Sequence, residues 1–382
     1  MSRRNLWLII GAVVVLAAIL IGVRYAGRTG VETGSTEYKV GAIVFLTGPQ
    51  APLGTEVKNA MTVAQEELNG KGGVNGKKIN ILYEDSKDSP KDAIAAFNRL
   101  ETESVPVIIA TGDVVTLNLA PIVDERKIPM VATIAAGPNI PQKSGWVFRI
   151  FIQATRQAET IANYAAKNLG LKSAAVLAIN NEFGEATSGT FKSAFEKLGG
   201  RITGIETYGV ADRDIRTQIT KLKGANPEAI YITGFGDGYG ACVKQVRELK
   251  FTGLMLSDAT LSTPFFQQQT APANEGAYFT STLYDENSQE GQTSSFISHY
   301  RAKFNTDPSF FAAFAYDSMN LVALALARSD GTPQGIRNAL ASIKDYQGVI
   351  GKVSFIENGD SDFPLVVKKI ENGKAKIVSG GQ

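Results

Sequence analysis

A chain of 382 residues with a single histidine, His299, and a single cysteine, Cys242, has little from which to build a catalytic centre. Multi-histidine metal sites, thiolate zinc sites and most histidine-based acid–base schemes need a second such side chain. A serine triad has no support either, since no G-x-S-x-G elbow occurs. Carboxylates, hydroxyls, aromatic rings and backbone amides remain. They suit holding a ligand better than breaking bonds, so neither enzyme activity nor a cofactor is expected. Asp258 is the carboxylate of most interest. It follows Leu254, Met255 and Leu256 at an expected strand end, where ligands of open α/β sheets gather. There it either receives an ammonium or amide donor, at about 1.5 to 3 kcal/mol per charge-assisted bond, or caps the helix that follows. Glu84, Asp85 and Asp88 read instead as a solvated loop or helix cap.

Two glycine runs imitate phosphate sites and fail on spacing. Between Gly70 and Lys78 a P-loop would need glycine at Lys71 and Ser or Thr at Lys78. Gly234, Gly236, Gly238 and Gly240 follow a strand and open a helix, but a dinucleotide fingerprint would need glycine at Tyr239. They read as a strand end that lets a small ligand approach the backbone. Cys242 lies on an apolar helical stripe with Val246 and Leu249 and reads as a buried hydrophobe. His299 follows Phe296 and Ile297 in a late helix and reads as structural or exposed.

The elements that must position these groups alternate. Strands are predicted at 38–46, 78–84, 105–110, 130–134, 174–179, 202–208, 229–233 and 277–282. Between them, helical stripes run through Val57, Met61, Ala64 and Leu68; Ile94, Phe97 and Leu100; and Phe191, Phe195 and Leu198. Parallel strands with helical crossovers follow, an α/β fold long enough for two domains. Phe363 to Val378 reads as two short strands around Glu371-Asn372-Gly373, a hairpin signal.

Four of the 39 basic residues precede the first acidic one, leaving 35 against 37 in the rest, so no nucleic-acid partner is expected. Arg3 and Arg4 precede an uncharged apolar run, Leu6 to Val23, which Arg24 ends. As a helix its 18 residues span about 27 Å, close to a hydrocarbon core. Residues 1–30 therefore read as an export segment, either a retained membrane anchor or a cleaved signal, and 31–37 as a tether. In both cases the body lies outside the cytoplasm, periplasmic or otherwise extracytoplasmic. With no cysteine near this segment, a lipoprotein is excluded.

Several motifs together carry a resemblance: Gly41-Ala42-Ile43-Val44-Phe45-Leu46-Thr47-Gly48-Pro49 with Gly54; Glu66-Glu67-Leu68-Asn69 followed by Gly72-Gly73-Val74-Asn75-Gly76-Lys77-Lys78-Ile79; Tyr83-Glu84-Asp85; Val147-Phe148-Arg149; Asn181-Glu182-Phe183-Gly184; and Asp317 to Leu324. In these the chain resembles the branched-chain amino-acid (leucine/isoleucine/valine-binding-protein-like) type of periplasmic substrate-binding protein of ABC transporters. The resemblance implies a type I periplasmic binding fold, with two doubly wound α/β lobes joined by three crossing segments. The lobes are expected as 38–150 with 283–350 and 151–282 with 351–382. A small ligand, an amino acid or a related amide or organic acid, is then caught between them and handed to an ABC permease in the inner membrane. The alternative is a membrane-anchored ligand sensor signalling through a protein partner. A monomer is expected.

Site residues follow from the resemblance by position. Leu53 stands where the family has an aromatic before the glycine matching Gly54. Val114 aligns with a ligand-binding serine, with Asp113 or Thr116 there if the register shifts. Thr133, Ala135 and Ala136 form the next loop, Ala136 standing for a threonine. Phe183 and Phe235 take aromatic places, and Asp258 the acidic place that receives the ligand amino group. The amine-binding half is kept and the carboxylate-binding half altered, so leucine is expected to bind poorly.

Overall fold

The computed structural model describes residues 37–48, 50–140 and 145–380. The expected anchor, and all of the tether but Glu37, lie outside the described residues. Five parallel strands, β1 (Glu37–Val44), β2 (Lys78–Asp85), β3 (Ile108–Thr111), β4 (Met130–Thr133) and β5 (Val147–Ile150), form a first sheet in the order β2-β1-β3-β4-β5. Their short central members, IIAT and MVAT, are buried throughout, as strands covered on both faces must be. Helices Ala51–Gly70 and Phe310–Ala327 cover one face; Pro90–Thr102 and Asp113–Arg126 cover the other. Helix starts follow from local sequence. Ser89 accepts the Asp92 N–H ahead of Pro90, and Asn181 accepts the Gly184 N–H.

The second sheet takes β6 (Ser173–Ile179), β7 (Arg201–Tyr208), β8 (Ala229–Thr233), β9 (Leu254–Ser257) and β10 (Tyr278–Ser281) as parallel strands. A small third sheet, β11 (Tyr346–Gly348), β12 (Gly351–Phe355) and β13 (Ser361–Asp362), precedes β14 (Val366–Glu371) and β15 (Lys374–Gly380), which complete the second sheet antiparallel in the order β15-β14-β10-β9-β8-β6-β7. The chain passes between the sheets three times: after Ile150, between Ser281 and Gly291, and between Phe363 and Val366. This is the type I periplasmic binding architecture.

Every predicted strand is present, most with shifted ends and β8 at the predicted bounds; β3 starts at Ile108 rather than Val105, because Pro106 has no N–H for a central ladder. Two stripe residues face solvent: Ile94 and Leu198 are exposed, and Ala93, Ala96, Phe97 and Leu100 form the buried face of their helix. Residues 351–363, expected with the second lobe, pack on the first. Val353, Phe355 and Phe363 share its core with Ile150, and Phe355 meets the Phe148 ring edge-on at 5.3 Å.

Candidate functional site

In each sheet the strand order reverses beside one strand, at β1/β3 and at β6/β8, and the carboxyl ends there are where a ligand is received. The two lobes solve the same packing problem at these ends. A Cβ on Gly54 would stand 1.9 Å from the Phe45 carbonyl oxygen, and one on Gly184 would stand 1.8 Å from that of Ile179. Only glycine lets each following helix seat this close to its strand. The two sets of strand ends face one another. Phe183 packs on the cores of both lobes, Ala259 lies in the core of the first, and Asn139 Nδ2 donates to Glu182 Oε1 across the gap at 2.8 Å.

In the second lobe Asp258, directly after β9, is wholly buried. Its Oδ2 accepts the Thr233 hydroxyl and the Gly234 N–H, both at 2.8 Å, and its Oδ1 accepts the Thr260 N–H at 2.9 Å. It is therefore a cap for residues 259–262, and it also ties the ends of β8 and β9 together. Burial pushes its carboxyl above the usual range, against the lowering pull of these bonds. Among the described residues no cation is paired with it. Phe235, exposed and next in sequence to Gly234, packs with Phe183, ring centroids 6.0 Å apart. The neighbouring glycines divide their roles. Gly234 has φ 135°, whereas Gly238 and Gly240 seat their helix against Gly209 and Gln269 rather than opening backbone to a ligand.

In the first lobe Gly112, at φ 88°, turns the chain into helix Asp113–Arg126 without a side-chain cap. Asp113 Oδ1 accepts the Gly137 N–H at 2.9 Å, linking the loop after β3 to the loop after β4. Burial raises its carboxyl above the usual range, and Arg149 draws it back. Ala135 and Ala136 are buried in that second loop; Val114 is half-buried in the first helical turn, and Leu53 packs on the core of the first lobe. Thr116 is not free for a ligand, because its hydroxyl donates to its own helix at the Gly112 carbonyl, 2.8 Å away. Thr133 is different. It and its register partner Thr111 end adjacent strands, both fully buried, with hydroxyl oxygens that have no partner among the described residues.

Sequence reasoning passed over Thr111, Glu182 as a working residue, and the group beneath the loop. Buried Arg149 holds Asp360 at 2.6 Å through Nε and donates through Nη1 to the Gly137 carbonyl, also at 2.6 Å. A charged residue inside the apolar run Trp146 to Ile152 was the available signal. Among the described residues no cluster of three metal-ligating side chains occurs.

A sequence model of the periplasmic binding protein family matches residues 37–379. The chain is 26% identical to a Leu/Ile/Val-binding protein homologue of Brucella melitensis over 364 residues, 93% of this chain and 98% of that protein. Its structure is similar to the leucine-binding protein LivK of Thermotoga maritima, with a TM-score of 0.79 and 27% identity, covering 90% of this chain and 98% of that one. It is likewise similar to the branched-chain amino acid transporter substrate-binding protein LivJ of Streptococcus pneumoniae in complex with isoleucine, with a TM-score of 0.80 and 26% identity over the same shares.

Proposed function

The chain belongs to the periplasmic binding protein family, and from that premise we propose that it is the extracytoplasmic substrate-binding component of an ABC importer. It captures a small amine-bearing ligand between two lobes and presents the closed form to a membrane permease. We draw the first lobe as 37–150 with 283–363 and the second as 151–282 with 364–380. The observation that carries the reading is Asp258, a carboxyl sealed at the facing strand ends with no cation beside it among the described residues. A buried charge without a counter-ion is costly, and a ligand ammonium arriving between Phe183 and Phe235 supplies one.

Such a ligand touches both lobes only when they meet, so its differential affinity moves the equilibrium from open to closed. The three crossings are the segments that flex. The body works outside the cytoplasmic membrane as a monomer, held near its permease by residues 6–23. Native mass spectrometry of the purified protein is the test. One retained small molecule carrying an amino group supports the reading, and a protein that retains none and binds no amine refutes it.

A further inference from the structure

The walls of the cleft bear on which amine is taken, and the argument rests on the capture reading above. An amino acid would bring a carboxylate as well as an ammonium, and the first lobe has two places for such an anion. One is the uncapped N-terminus of helix Asp113–Arg126, worth about half a positive charge. The other is the row of backbone amides in the loop after β4. Asp113 compromises both. Its Oδ1 already accepts the Gly137 N–H at 2.9 Å, and its full negative charge at the first helical position exceeds the dipole's half charge. Arg149 beneath the loop is paired with Asp360 at 2.6 Å and draws on the Asp113 carboxyl, so its charge goes to carboxylates that the chain already supplies. Glu182, held by Asn139 at 2.8 Å, adds a second carboxylate from the opposite lobe. At the ends of β3 and β4 the buried hydroxyls of Thr111 and Thr133 have no partner among the described residues, and a hydroxyl accepts an N–H as readily as it donates.

We propose that Asp113 stands in for the carboxylate of an amino acid, so that the ligand is an amine whose second polar group is an N–H donor, an amide or a second amine, and carries no free carboxylate. Asp258 takes the first ammonium. Asp113, with the free hydroxyls at the ends of β3 and β4, takes the second group, and the Phe183 and Phe235 rings flank the apolar part between them.

Calorimetry on the full-length protein in detergent, stripped by unfolding and refolding, with leucine, leucinamide and 1,5-diaminopentane as probes, tests this. Leucinamide or the diamine is expected to bind at least tenfold more tightly than leucine. Asp113→Asn narrows that ratio at least tenfold, whereas Asp258→Asn weakens all three probes together. Leucine binding as well as leucinamide, or a ratio that Asp113→Asn leaves alone, overturns the inference. A retained native ligand with a free carboxylate also overturns it while leaving the capture reading standing. Failure of every amine, with no ligand retained, sinks both.

Discussion

Asp317 gives the sharpest stability prediction. It lies wholly buried in helix Phe310–Ala327, where Oδ1 accepts the Val349 N–H at 3.1 Å and Oδ2 the Ile350 N–H at 3.0 Å. The turn rests directly on the carboxylate, since a Cβ on Gly348 would come within 2.3 Å of Oδ2. Burial pushes its pKa from an ordinary 3.8 up to about 7, outweighing the two amides. A carboxyl with a raised folded pKa binds protons more tightly in the folded state, so it stabilises at low pH and the effect is lost as pH rises. At about 1.4 kcal/mol per pH unit the full contribution is roughly 4 kcal/mol. It is complete below about pH 4, falls through the window up to about pH 7 and is absent above it. Asn matches the acid in shape and does not titrate, and the loss of one acceptor, with its NH2 set against a backbone N–H, costs the same at both pH values. Urea denaturation of wild type and Asp317→Asn at pH 5 and pH 8 should therefore show the variant gaining about 2.5 kcal/mol relative to wild type between the two. Asp113 and Asp258 titrate in both proteins and cancel in this difference. A difference that stays constant within about 0.5 kcal/mol would refute the assignment.

Four further outcomes are expected. Asp258→Asn should weaken binding of the small molecule the protein retains by about tenfold or more, by titration calorimetry; unchanged affinity would make Asp258 a cap alone. Gly184→Ala should cost about 1 to 3 kcal/mol in urea denaturation because its Cβ would overlap the Ile179 carbonyl. Gly189→Ala in the same helix, with nothing within 4 Å, should instead gain up to about 1 kcal/mol. Intact mass of the native protein in the membrane fraction should show that residues 6–23 are retained; a soluble species starting near residue 30 contradicts the anchor.

The parts of the fold legible in the sequence are those in which one face or one turn is dictated locally. The closing hairpin is such a case: Asn372 and Gly373 have φ of 55° and 70° in a two-residue loop between Glu371 and Lys374, as that dipeptide favours. Cys242 is buried in its stripe as expected, and His299 lies exposed with Nδ1 against Glu67. Strand β5 was harder, because Arg149 breaks its apolar run and only the distant Asp360 explains how that charge is buried. The third sheet was not legible at all, its strands being two to five residues long and fixed by contacts with a distant core. In the site, the hydrogen bonds were not legible. Nothing local says that the Thr116 hydroxyl turns back on its helix while that of Thr133 stays free, or that Asp113 spends its carboxylate on Gly137.

The central claim is that a ligand is held by closing two lobes on it, and small-angle scattering measures this directly. The protein is recorded as purified, after unfolding, dialysis and refolding to strip it, and again after the small-molecule fraction released on unfolding is returned. The account predicts that the radius of gyration rises on stripping and falls back when the released fraction is added. A radius unchanged through all three states would contradict it.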